Sequence, residues 1–108
     1  MQFKELKKFI KKEDRRLRKY YGNYKDEEKR VLARTVKLAE EVGELCDEVL
    51  GYNSMQRKDK LEKRKKDNLM EEFADVVITV LLIAEAMKVD MEKALKRKME
   101  KIKKRYSK

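Results

Sequence analysis

Residues 70–87, Met70-Glu71-Glu72-Phe73-Ala74-Asp75-Val76-Val77-Ile78-Thr79-Val80-Leu81-Leu82-Ile83-Ala84-Glu85-Ala86-Met87, decide the fold. The centre, Val76 to Val80, is β-branched throughout and by propensity alone reads as a strand. The flanks argue otherwise. Met, Glu, Leu and Ala are good helix formers, and neither Gly nor Pro interrupts the run, so one continuous helix is the better reading. Asn68 with Glu71 three residues on resembles a capping box, which predicts a helix from Leu69 to about Lys88. From Val76 to Ala84 its apolar side chains would cover the whole circumference, the mark of a helix packed on several sides. In a chain of 108 residues such enclosure points to a partner subunit.

Working outward, Val31, Thr35, Leu38, Val42, Leu45, Cys46 and Val49 recur at three and four residues and predict an earlier helix, with Gly51 and Asn53 as its stop. Cys46 is expected in the core. Between the two helices Tyr52 to Asp67 is almost wholly polar and basic and reads as a connection, helical in part. Phe3, Leu6, Ile10, Leu17 and Tyr21 keep a helical spacing at the start of the chain. Tyr21-Gly22-Asn23-Tyr24 reads as a turn after it, with Asp26 or a neighbour capping the next helix. A last helix should begin near Asp90, with Met91, Ala94, Leu95, Met99 and Ile102 as its stripe. The expected architecture is all-α, a bundle of about four helices in a single domain over 1–108, assembled as an oligomer.

Composition narrows the chemistry. There is no His and one Cys, so Ser-His-Asp and Cys-His nucleophile systems, an intrachain disulfide and a Cys/His zinc cluster are all excluded. A metal held here must be held by oxygen. The longest apolar run is far short of the roughly 20 residues that span a bilayer, and the first residues lack the h-region of a secretory signal. No membrane partner is expected, and a single thiol fits a reducing cytoplasm.

The charge is +10, which by itself would suggest a polyanionic partner. Its distribution says more. Val31 to Met55 holds two basic and five acidic residues, and Met70 to Asp90 one and five, whereas the segments before, between and after them are strongly basic. Within the two acidic, apolar segments Glu41 and Glu44 are three apart, as are Glu72 and Asp75. Each pair therefore shares a helix face, with Cβ atoms about 5–6 Å apart. One such pair in an acidic chain is ordinarily a solvated face. Two pairs beside a core, with few cations near, repel one another and lose hydration unless a counter-ion compensates. Hard, oxygen-seeking Mg²⁺ suits them, with Mn²⁺ as an alternative, and the absence of His argues against a di-iron site.

The strings Ala39-Glu40-Glu41-Val42-Gly43-Glu44-Leu45 and Glu71-Glu72-Phe73-Ala74-Asp75-Val76, 27 residues apart from Glu44 to Glu71, resemble the MazG-like all-α nucleoside triphosphate pyrophosphohydrolases. The similarity covers roughly Leu38 to Tyr106. It implies metal ligands at Glu41, Glu44, Glu72 and Asp75, with Glu40 matching the motif's first position without being a usual ligand. It also implies a helical bundle assembled as a homodimer or homotetramer. The implied reaction is Mg²⁺-dependent hydrolysis of an NTP or dNTP between the α and β phosphates, giving monophosphate and pyrophosphate, a house-cleaning of nucleotide pools. The family's C-terminal Lys-x-x-x-Asn-x-x-Arg-aromatic pattern is matched by Lys98, Arg105 and Tyr106, which it implies touch the nucleotide, but Ile102 stands where Asn is common. Glu44 or Glu48 is a candidate general base. A phosphoribosyl-ATP pyrophosphatase or an all-α dUTPase is the nearest alternative. A basic helical nucleic-acid-binding protein is the alternative of another class, although no recognised nucleic-acid motif supports it.

Overall fold

The computed structural model describes residues 1–20, 27–53 and 58–107, in residues 53 and 58–67 by backbone alone. It contains four helices in chain order: α1, Phe3–Tyr20; α2, Glu27–Asn53; α3, Lys58–Ala86; and α4, Met91–Tyr106. No strand occurs among the described residues. The β-branched run is helical, and the hydroxyl of Thr79 donates to the carbonyl of Asp75 one turn back, at 2.7 Å. That bond lets a polar β-branched residue sit buried inside a helix. The turn at Tyr21 to Tyr24 and the cap at Asp26 lie outside the described residues.

α3 starts well before Leu69. Backbone from Lys58 is already helical, so Asn68 lies within the helix rather than capping it, and most of the expected connection belongs to α3. The physical reason is in the composition: Lys, Glu and Arg cost little in a helix, and polarity alone does not make a loop. At its other end α3 closes through a Schellman arrangement. Val89 N–H donates to Ala84 O at 2.9 Å and Lys88 N–H to Glu85 O at 3.2 Å, with Lys88 left-handed at φ 58° where Gly is the usual occupant. Asp90 then caps α4, its carboxylate accepting from Lys93 N–H at 3.1 Å.

α2 and α3 pack along one another, and α1 crosses onto α3. The core lies where α1 meets α3: Ile10, Leu81 and Leu82 are buried, with Leu6, Leu17, Ile78 and Met91 packed around them. Burying one such side chain stabilises by about 1.5–3 kcal/mol. On α1, Leu6, Ile10 and Leu17 present one stripe, and buried Asp14 lies on the same face. Asp14 receives Arg34 of α2, Nη1 to Oδ1 at 2.7 Å, and Arg18, Nη2 to Oδ2 at 3.0 Å. The Arg34 contact is close but off-angle, an ion pair rather than a directed hydrogen bond. Arg34 Nη1 also donates to Leu82 O of α3 at 2.8 Å. One guanidinium thus ties three helices together.

The inward face of α2 is not the apolar stripe expected for it. Arg30, Arg34 and Glu41 are buried and Leu38, Leu45 and Glu48 half-buried, whereas Val42 and Cys46 are exposed. Cys46 is therefore no core residue. The charged side of the helix turns inward because Arg34 finds a charged partner in Asp14 of α1 and a carbonyl acceptor in Leu82 of α3. Arg34 is held by its ion pair with Asp14 and its hydrogen bond to Leu82 O, and part of the apolar stripe is left in the open.

α3 is not enclosed within the chain either. Its inner side carries Ile78, Leu81 and Leu82, but Met70, Phe73 and Val77 on another side are exposed.

Candidate metal centre

α2 and α3 each contribute carboxylates to the seam between them. Glu41, Glu72 and Asp75 each offer an oxygen, and these oxygens lie within 4.8 Å of one another. Glu41 is buried, Glu72 half-buried and Asp75 exposed, so the group runs from the packed seam out to solvent. Oxygens that ligate one Mg²⁺ or Ca²⁺ lie at most about 4–5 Å apart across the ion, and the observed spread fits a single cation.

The carboxylates are not all satisfied by the protein. Lys37, one turn before Glu41, donates to its Oε1 at 3.0 Å. That hydrogen bond and the Glu41 charge raise the Lys37 pKa above the ordinary lysine value. The second oxygen of Glu41 and Oε2 of Glu72 are buried without a hydrogen-bond partner among the described residues. Buried polar atoms ordinarily find partners, and each orphan requires an explanation. The Glu72 carboxyl is pushed above the ordinary glutamate value, first by lost hydration and then by the charges of Glu44, Asp75 and Glu41. A hydrogen bond with Glu44 adds to the same rise. Glu44 stands beside the three-residue group rather than in it. Buried oxygens without a partner and a carboxyl made reluctant to ionise are groups that a divalent cation would compensate, and the all-oxygen donor set suits a hard ion.

Not every residue expected at the site is brought to it. Lys98, Arg105 and Tyr106 are exposed on α4, which has no substantial interface with α2 or α3. Neither Lys98 nor Arg105 pairs with a carboxylate among the described residues. Glu48 is half-buried further along α2 and outside the oxygen cluster. Conversely, Lys37 is legible in the sequence as the i,i+4 partner of Glu41, although it stands out there only as one of the few cations in an acidic segment. Arg30 and Arg34 share the 3.5-residue spacing of Leu38, Glu41 and Leu45, a signal masked by their charge.

Four helices, with an acidic seam between the second and third, define an all-α protein built around a cluster of carboxylate oxygens. Residues 30–108 match the family profile of the MazG nucleotide pyrophosphohydrolase domain. The chain belongs to that family. No curated protein and no solved structure matches it.

Proposed function

We propose that this chain is a Mg²⁺-dependent nucleoside triphosphate pyrophosphohydrolase, a single domain over 1–108 that cleaves an NTP or dNTP between the α and β phosphates. The observation that carries the reading is the convergence of Glu41, Glu72 and Asp75 oxygens within 4.8 Å, two of these residues having a buried oxygen left unpaired. Membership of the family supplies the reaction class. The oxygen set favours Mg²⁺, with Mn²⁺ as a substitute.

In this reading Glu41, Glu72 and Asp75 hold the cation, and Glu44, beside Glu72, completes the set. When bound, the cation supplies positive charge against the phosphate oxygens and acidifies water. Lys37 holds Glu41 in place through Oε1 and leaves Oε2 to the site. Glu44 is the better placed of the two candidate bases, since it neighbours the cluster and Glu48 lies further along α2. Lys98, Arg105 and Tyr106 serve the nucleotide only if α4 is brought over a carboxylate seam. Within one chain it is not, which a second copy would remedy, so the reading includes a homodimer or homotetramer. No described helix is long and apolar enough to cross a membrane, and the proposed place of action is the cytoplasm, on the nucleotide pool rather than on nucleic acid.

The test is pyrophosphate release from a panel of ribo- and deoxyribonucleoside triphosphates, with and without Mg²⁺. Turnover of at least one substrate is expected, abolished by Glu41→Gln or Glu72→Gln in variants that keep their helical circular dichroism. Absence of turnover with either Mg²⁺ or Mn²⁺, together with no rise in melting temperature on adding them, would sink the proposal.

A further inference from the structure

A second charged feature lies between α1, α2 and α3, in a cleft of about 380 Å³ lined by Arg18, Arg30, Arg34, Lys37, Glu13 and Leu17, among others. Of its four cations, three are accounted for. Arg18 and Arg34 share Asp14, and Lys37 is held by Glu41. Glu13 also lines the cleft, its Oε1 3.3 Å from Arg16 in an ion pair without a directed hydrogen bond. Arg30 differs. Its side chain is 5% exposed, and its nearest anion is the largely exposed Glu27, at a loose 3.6 Å from Nη2. Nε and Nη2 are buried and donate to nothing among the described residues. A guanidinium cannot escape burial by losing its proton, so it stays both charged and unsatisfied. Water could take up a hydrogen bond there, but it would not compensate the charge.

We infer that this cleft is an anion site for a phosphate oxyanion, separate from the carboxylate seam. The guanidinium fork of Arg30 matches two phosphate oxygens, and a phosphate has a further oxygen for Arg18, about half exposed at the rim. A carboxylate ligand could fill the fork of Arg30 but would offer no further oxygen to Arg18. Three of the lining residues, Glu13, Leu17 and Arg18, belong to α1 and precede the part of the chain matched by the family profile, so the site is not contained within the matched segment. The inference does not rest on the proposed reaction: no carboxylate of the Glu41, Glu72 and Asp75 group lines the cleft, and Lys37, which does, is taken up by Glu41.

Inorganic phosphate and pyrophosphate are titrated into the full chain in EDTA, against chloride at matched ionic strength, with calorimetry and the arginine Nε–H resonances as readouts. Saturable binding is expected, with one buried Nε–H moving on saturation. Affinity should fall on the order of tenfold or more in Arg30→Gln, in keeping with loss of charged hydrogen bonds, and stay unchanged in Glu72→Gln. Should Arg30→Gln fail to fold, Arg18→Gln at the rim is expected to weaken binding severalfold. Heats no larger than those of chloride, or equal affinity in a folded Arg30→Gln variant, would overturn the inference, while turnover at the carboxylate seam would be untouched by either result.

Discussion

At the scale of single residues, Glu72 carries the energetic signature of the seam. A carboxyl whose pKa is raised on folding holds its proton more tightly in the native state. Below the ordinary glutamate value of 4.5 both states are protonated and nothing is lost. As the pH rises from there through the raised native value, the native state is progressively destabilised, and above that value the penalty is complete. Glu72→Gln removes the charge at nearly constant shape. In EDTA at neutral pH the variant should therefore melt higher than the parent, with the difference fading as the pH falls below about 4.5. Added Mg²⁺ should reverse the order, raising the parent's melting temperature more than the variant's. Thermal melts over pH, with and without metal, check both signs. A lower melting temperature for the variant in EDTA would show that Glu72 is satisfied in the native state and that no ion is needed there.

At the scale of elements, the sequence carried most of the helical architecture but misplaced one helix start and one helix face. Val76 to Val80 could be assigned correctly because its flanks outweighed local propensity. The start of α3 could not, because a basic polar segment is compatible with both helix and loop, and Asn68 imitated a cap. The face of α2 differs from the sequence expectation because apolar spacing alone does not say which side of the helix turns inward. Burial instead followed Arg34, whose partners Asp14 and Leu82 O lie 20 and 48 positions away in sequence and could not be read locally. The carboxylate pairs were legible because i,i+3 spacing puts them on one face whichever way the helix is turned. What α3 does at its C-terminus was invisible for another reason. Lys88 takes a left-handed conformation that costs a non-glycine residue about 1–2 kcal/mol, and nothing in its identity announces it. Lys88→Gly relieves that strain and in part loosens the unfolded chain, so a net gain of about 0.5–1 kcal/mol is expected by denaturant titration. A loss instead would mean that the Lys88 side chain contributes more than its backbone costs.

At the scale of the whole molecule, the basic pI near 9.6 is the sum of an acidic seam and the Lys- and Arg-rich segments around it, an arrangement suited to a compact polyanion. The chain itself is open. Its radius of gyration is 17.2 Å, against about 13 Å for a compact chain of this length. No residue of α4 is buried, though Leu95, Met99 and Ile102 form an apolar row along it, and Met70, Phe73 and Val77 form another on α3. Exposed rows of this kind usually mark interaction surfaces. A second copy is the economical cover, because it would also carry a basic α4 toward the acidic seam that the same chain's α4 does not reach. Light scattering should then give two or four times the 13.1 kDa of one chain. Phe73, about half exposed, lies in the α3 row, and burying a Phe contributes about 2–3 kcal/mol. Phe73→Ser should accordingly weaken association by about tenfold or more, shifting the mass toward one chain as the sample is diluted while helical content is retained. If the parent protein scatters as a single chain at every concentration, the apolar rows have some other cover, and Lys98, Arg105 and Tyr106 have no route to the seam through a partner copy.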